Sequence, residues 1–423
     1  MISSPAELQP NAGADRRLRI ALIRAKYNPF GGAERFVQTA VEALADEGVS
    51  MTVLTRAWPE TSVASGDAPA VDYVILNPRY VTSTGRDKSF AAAIEQHLSH
   101  THYDLVQSHE RIVGCDVFRA GDGVHATWLE HRRRVSSGLK QLGVRLNAHH
   151  RYLLATERAM FESPKLRAVI CNSQMVKADI LRHFDIDPAK LRVILSGVDT
   201  TVFHAGLREL HRAETRKSLR IPKAAPVALF VGSGFERKGL IGFLMGLADQ
   251  SGHARLTRES VRGIVVGHDK HLTRFQSFAD QLGLSDRVSF VGGVNDVRPF
   301  YAAADIFVLP TLYDPLPNAC LEAMACGLPV ITSTGSGAAE LITNGVEGFV
   351  VDALDTPAIA DAIEASLASA MSDHQMGKNA AAKVAPLTPR AMAANYVALY
   401  RELLGTNGAA GMNNGDPAAH GGT

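Results

Sequence analysis

Short apolar runs alternate with stretches of helical spacing along nearly the whole chain. Runs at 19–24, 51–55, 71–76, 104–108 and 168–171 read as buried strands, and a further strand at 192–195 ends the first half. A Gly-containing loop at 28–32 opens a helix near 33–47, and two long helical stretches, 125–135 and 139–162, precede the strand at 168–171. The pattern restarts with strands at 227–232, 263–267, 288–291, 306–310, 330–333 and 348–351. Helices fill the gaps, among them 238–249 and 317–326. Such alternation predicts βαβ units and parallel sheets. The break falls at the turn-rich residues 195–199. We therefore expect an α/β protein of two doubly wound sheets facing a cleft, with ligands at the carboxyl ends of the strands.

Composition narrows the function classes. A chain of 423 residues at ~100–200 per domain has room for two or three domains. Its 44 Lys and Arg balance 43 Asp and Glu, which excludes a protein driven by bulk charge. No run approaches the ~18 apolar residues of a membrane span. The N-terminus lacks a basic segment followed by an apolar one, so a secretory signal is not expected. Cys115, Cys171, Cys320 and Cys326 form no C-x-x-C pair and read as reduced, buried thiols. Asp185 and Asp187 match a metal-holding D-x-D pattern but precede Pro188, away from any phosphate loop. They read as turn formers, and no metal is expected.

Charge is split between the halves. Through residue 195 there are 25 basic and 21 acidic residues; beyond it, 19 and 22. Much of the excess lies at 128–151, where Arg132, Arg133, Arg134, Lys140, Arg145 and Arg151 face Glu130 alone. A solvated helical face would look like this. So would a patch for an anionic acceptor or membrane surface, at ~1 kcal/mol per cation. Nucleic acid is not expected, because no aromatic residues interleave as a stacking platform.

Candidate chemistry sits in the loops after strands. In 230–239, small residues Gly232 and Gly234 permit a tight turn, and Arg237 and Lys238 open the next helix. Two cations at a helix N-terminus can clamp a diphosphate. The dinucleotide fingerprint fails, since its third glycine position is Arg237. In 314–329, Asp314 lies in a loop. Backbone amides at Leu316, Pro317, Asn318 and Ala319 mark a helix start suited to phosphate oxygens, proline itself having no N–H. Glu322 can accept hydrogen bonds from a sugar diol. In the first half, Gly31 and Gly32 allow close approach to the backbone. Glu34 suits the helix dipole. His109 lies at the sheet's carboxyl edge, and Asp122 in a Gly-flanked loop could orient an acceptor hydroxyl.

Together these features resemble glycosyltransferase family 4, the retaining transferases of the GT-B fold, over residues 18–404. The resemblance rests on Gly31-Gly32, the hinge Gly197-Val198-Asp199 with Phe203, Arg237-Lys238-Gly239, and the block from Asp305 to Gly348. It implies two Rossmann-like domains: an acceptor domain at 18–195 and a nucleotide-sugar domain at 196–388. A helix at 389–405 crosses back to the first domain, and disordered ends at 1–17 and 406–423 complete the expectation. The family's E-x7-E pattern maps onto Asp314 and Glu322, with a shorter carboxylate in the first position. By the same transfer, Arg237 and Lys238 bind the donor diphosphate, Gly32 helps through its backbone, and His109 lies near the donor sugar. Within the family, residues 26–35 and 118–162 point to the lipopolysaccharide core glucosyltransferases that act on heptose. That implies UDP-glucose or another nucleotide hexose as donor, no cofactor, and a lipopolysaccharide acceptor. It also implies a cytoplasmic protein peripheral to the inner membrane face, with Asp122, Arg132 and Arg133 toward the acceptor. The rival readings are a GT-B phosphorylase, a transferase for another glycan or glycolipid, and a nucleotide-sugar-binding subunit with impaired catalysis.

Overall fold

The computed structural model describes residues 17–25, 40–58, 71–136, 138, 141, 143, 147–249 and 261–405. Gly31, Gly32, Glu34, Lys140 and Arg145, the glycine loop, the chain ends through residue 16 and from 406 onward lie outside them.

The first sheet contains β1 (Arg19–Ile23), β2 (Ser50–Thr55), β3 (Asp72–Ile75), β4 (Leu105–Ser108), β5 (Val117–Arg119), β6 (Ala168–Cys171) and β7 (Leu191–Val193). Its order is β3-β2-β1-β4-β5-β6-β7. The second contains β8 (Val227–Val231), β9 (Arg262–Val266), β10 (Val288–Gly292), β11 (Ile306–Leu309), β12 (Val330–Ser333) and β13 (Gly348–Val351), in the order β10-β9-β8-β11-β12-β13. All strand pairs are parallel. Central strands such as β8 and β11 are buried along their full length, as unbroken apolar runs in parallel sheets require. Each sheet reverses direction beside its first strand, so β1/β4 and β8/β11 are the switch points where loops diverge.

Helices of the first half include α1 (Ser83–His100), α2 (His125–Arg133), α3 (Ala148–Phe161) and α4 (Gln174–His183), and residues 40–46 are helical as well. Those of the second are α5 (Leu207–Ser218), α6 (Leu240–Asp249), α7 (Leu272–Gln281), α8 (Arg298–Ala303), α9 (Asn318–Ala325), α10 (Thr356–Ser372), α11 (Gln375–Val384) and α12 (Pro389–Leu404). None is long and apolar enough to cross a membrane.

Two features depart from the sequence pattern. β5 was not expected: only Val117 and Phe118 are apolar, between Asp116 and Arg119, too short a run to read. α1 was not expected either, because only Phe90 and Ile94 of its 18 residues are buried. The stretches expected as helix at 125–135 and 139–162 contain helices at His125–Arg133 and Ala148–Phe161; residues 141 and 143 are also helical, and 139, 140, 142 and 144–146 lie outside the described residues. Asn147 caps the second, accepting from the amides of His149 and His150.

α12 returns to the first sheet. Thr388 caps it through the Ala391 amide at 3.1 Å, and Pro389 occupies its first turn. Met392, Ala393, Tyr396, Val397 and Tyr400 recur at helical spacing and pack into the core formed by Ile20, Val53 and Leu105. Tyr400 donates to Gln107 Oε1 at 2.7 Å, and Arg119 donates to Tyr396 at 3.1 Å and to Ser196 at 3.2 Å. The two chain crossings touch: a Cβ on Gly197 would lie 2.5 Å from the nitrogen of Pro389, and the Val198 amide donates to Leu387 at 2.8 Å.

Candidate active site

The second-domain half of the site is built by loops at the switch point β8/β11. Arg237 and Lys238 lie in the turn before α6, which starts at Leu240, rather than in the helix itself. The cause is Gly239, whose left-handed φ of +78° breaks the helical path. A Cβ there would sit 1.8 Å from the Pro310 carbonyl oxygen, so the turn is pressed against the end of β11. The Arg237 carbonyl accepts from the Leu312 amide at 2.8 Å and the Thr311 hydroxyl at 2.9 Å. These bonds bring the cationic turn beside the loop carrying Asp314. Lys238 Nζ donates to Asp314 Oδ2, and Arg237 Nη1 lies 3.7 Å from the same oxygen. The Lys238 side chain is 12% exposed and crosses the face of Gly232, which has no side chain to block it.

Farther along, Leu316 and Pro317 are buried and lead into α9, whose start has no side-chain cap. Asn318 and Ala319 are half-buried at that start. Glu322 is buried one turn in, and its Oε2 accepts from Tyr301 at 2.8 Å. Gly234 is exposed, with φ +77°. The structure therefore brings Arg237, Lys238 and Asp314 into contact, with Glu322 in the helix that follows.

The first-domain half lies at the carboxyl edge of β1 and β4. His109 is buried, and its Nε2 is 3.0 Å from Gln107 Nε2. An amide nitrogen only donates, so Nε2 accepts and the ring proton is on Nδ1. Burial, with Arg119 and Arg24 adding to it, holds this imidazole well below its ordinary pKa, hence neutral. Asp122 is exposed, 3.8 Å from Arg24. Desolvation opposes its charge, but Arg24, Arg111, Arg237 and Arg119 outweigh it and hold the carboxyl below its usual range. Arg237 belongs to the second domain, so the charge felt by Asp122 comes from both domains. Behind it, the buried carboxylate of Glu157 accepts from Arg111 Nε at 2.9 Å and from the His125 amide, and Arg111 Nη2 donates to the Gly123 carbonyl at 3.0 Å.

Arg132 and Arg133 end α2, the latter exposed. Their neighbour Arg134 is bonded instead to Asp352 of the second domain at 2.7 Å. Part of the basic stretch thus holds the domains together. Asp187 caps a 3-10 turn through the Ala189 amide at 2.8 Å, as a turn former does. The four cysteines are free and buried, and burial pushes the thiols of Cys115, Cys171 and Cys320 up to about 12, which keeps them unreactive. Among the described residues, no group of three His, Cys, Asp or Glu side chains could hold a metal ion.

Sequence reasoning missed four residues. Tyr301 holds Glu322. Tyr313 and its acceptor Asp179 join the domains. Glu340 accepts from the Gln174 and Met175 amides at 2.9 and 2.6 Å, capping α4 of the first domain from the second. Glu340 lay inside a recognised block, but its partner 165 positions away carries no local signal.

Comparison with known proteins places both halves. Residues 30–202 match the model described as Glycosyltransferase Family 4, and residues 211–383 the model of glycosyl transferases group 1. The lipopolysaccharide glucosyltransferase WaaG of Escherichia coli K12 is 29% identical over 333 residues, 78% of this chain and 84% of that protein. A crystal structure of WaaG, a glycosyltransferase involved in lipopolysaccharide biosynthesis, superposes with a TM-score of 0.75 at 25% identity, covering 90% of this chain and 99% of that one. Anabaena HepE in complex with UDP-glucose has the same fold, with a TM-score of 0.67 at 18% identity, covering 90% of this chain and all of that one. With a Glycosyltransferase Family 4 region in the first half, a glycosyl transferases group 1 region in the second, and the two parallel-sheet domains arranged as in WaaG, the chain is a glycosyltransferase enzyme of the GT-B fold.

Proposed function

We propose that this enzyme moves glucose from UDP-glucose to a lipopolysaccharide core acceptor, with retention at the anomeric carbon and without a metal. The observation that carries the reading is the convergence of Arg237 and Lys238 on Asp314 at the mouth of the cleft. Departure of UDP builds negative charge on the leaving phosphate. Fixed cations and helix-start amides around that charge supply the electrostatic stabilisation that commonly dominates such reactions. Asp314 keeps the Lys238 ammonium in place while leaving it further N–H donors for phosphate oxygens. Gly234 and the turn 316–319 line the donor side, Glu322 takes the ribose diol, and Asp314 contacts donor-sugar hydroxyls. Gly31 and Gly32 complete that side in this reading.

His109, neutral with its proton on Nδ1, offers a hydrogen bond to the donor sugar rather than a charge. Asp122 orients the acceptor hydroxyl. A carboxyl held below its usual range is a weak base, so the acceptor proton passes to an oxygen of the departing phosphate. The anomeric carbon–phosphate oxygen bond breaks, the carbon–acceptor oxygen bond forms on the same face, and UDP leaves carrying that proton. In this reading residues 18–195 hold the acceptor and 196–388 the donor. Arg132 and Arg133 face an anionic acceptor at the inner surface of the cytoplasmic membrane, where the protein is peripheral.

The WaaG relative, a lipopolysaccharide glucosyltransferase, supports glucose and the lipopolysaccharide acceptor, and the UDP-glucose complex of HepE, a protein of the same fold, is in keeping with the donor. The test is a thermal-shift panel of UDP-, GDP- and ADP-sugars followed by turnover on truncated lipopolysaccharide. Selective stabilisation by UDP-glucose and glucose transfer are expected. Stabilisation by another nucleotide sugar alone would overturn the donor assignment, and no transfer to the core the acceptor assignment.

A further inference from the structure

Tyr313 immediately precedes Asp314, in the loop that leaves β11 of the second domain. It is 1% exposed. Among the described residues its hydroxyl bonds across the cleft: it accepts from the Val124 amide at 3.0 Å and donates to Asp179 Oδ2 at 2.9 Å. The ring stacks on His131 of α2, with centroids 5.5 Å apart and planes at 23°. Gly123, at φ +69°, makes the space: a Cβ there would lie 2.5 Å from the Tyr313 hydroxyl and 2.7 Å from its ring.

The main chain of the same residue faces the other way. The Tyr313 carbonyl accepts from Arg237 at 3.4 Å, and the next carboxylate holds Lys238. One residue is therefore fixed to the first domain by its side chain and to the cationic turn by its backbone. A buried phenol deprived of either partner leaves an unsatisfied polar group, so this contact forms as a unit.

We propose that Tyr313 is a positioning residue that transmits the seating of the first domain to Asp314, so that the carboxylate and its two cations reach their working arrangement only when Val124 and Asp179 hold the phenol. The proposal rests on the reading of Arg237, Lys238 and Asp314 as the donor-phosphate site. It concerns residues outside the cationic clamp itself, and no substrate need touch Tyr313.

Tyr313→Phe keeps the ring and its stack and removes the hydroxyl. We expect turnover to fall about tenfold or more and UDP affinity to fall with it, while affinity for UMP, which lacks the clamped second phosphate, changes by less than about twofold. Hydrogen exchange at the Val124 amide should accelerate by about tenfold or more, since its acceptor is gone. Asp179→Asn, which still offers an oxygen to the phenol, should keep most of the turnover, whereas Asp179→Leu should reproduce Tyr313→Phe. Wild-type turnover in Tyr313→Phe would overturn the proposal, as would UDP affinity that stays at the wild-type value or a loss shared equally by UMP. A wild-type protein that neither binds UDP nor transfers sugar would overturn the functional reading instead. In that case an unchanged Val124 exchange rate in Tyr313→Phe would still refute the contact on which the proposal stands.

Discussion

Lys238 and Asp314 form an ion pair between positions 76 residues apart, joining the turn before α6 to the loop after β11. The pair is mostly buried, with 12% and 8% of the two side chains exposed. It fixes a cation where the proposed leaving group departs. Lys238→Ala should lower kcat by on the order of 10²–10³-fold, the cost of losing one preorganised donor. Arg237 remains near Asp314, so a cooperative thermal melt should persist. Steady-state kinetics and circular dichroism check both expectations.

Glu322 should report on nucleotide binding. Its Oε2 is held by Tyr301, so the carboxylate is oriented rather than free to rotate. Glu322→Gln should weaken UDP binding by about tenfold, in keeping with ~1.5–3 kcal/mol for a hydrogen bond to a charged group, and leave the acceptor KM nearly unchanged. Calorimetry with UDP and acceptor titrations separate the two effects.

Much of this architecture was legible because parallel strands buried on both faces must be apolar throughout. All six strands of the second sheet lie within a residue or so of the runs that predicted them. The helix at 389–404 was also readable, after Thr388 and Pro389; that it crosses back to the first domain was an implication of family resemblance, and its packing against Ile20, Val53 and Leu105 comes from the structure. β5 was invisible because two apolar residues make no pattern. Its buried Arg119 is satisfied by Tyr396 and Ser196, partners far away in sequence. Of the site, the residue types and loops were legible, and the contacts across the cleft were not. Tyr313 with Asp179, Glu340 with α4, and Arg134 with Asp352 each depend on how the two domains meet.

Buried neutral histidines should make stability depend on pH. Burial holds His109 well below its ordinary pKa, and burial with nearby Arg111 and His150 lowers His125 to about 3. Unfolded, each takes up a proton below about pH 6.5, whereas the folded form does not. The unfolded state then binds more protons, so stability is complete above that pH and falls as the pH drops below it. Each histidine contributes a slope of ~1.4 kcal/mol per pH unit there. Urea unfolding between about pH 7 and 5 should show the loss, and His109→Gln should reduce the slope by one proton's worth.

Asp305 anchors the second domain away from the cleft. Its carboxylate accepts from Arg212 at 2.6 Å, Arg216 at 2.7 Å, Arg208 at 3.1 Å and the Val227 amide at 2.9 Å. Burial opposes its charge, yet the three guanidinium groups hold the carboxyl below its usual range. Asp305→Asn leaves buried cations short of a partner and should cost ~3–5 kcal/mol of stability. Chemical denaturation measures that loss, and UDP affinity at low temperature should stay near wild type.

The clamp on a diphosphate is tested most directly by calorimetric binding of UDP and UMP to wild-type protein and to Lys238→Ala. UDP should bind wild type at least about tenfold more tightly than UMP, and the substitution should erase most of that difference, since each fixed charge–phosphate contact is worth ~1.5–3 kcal/mol. Equal binding of UDP and UMP to wild type, or a preference for UDP that survives loss of the lysine, would contradict it.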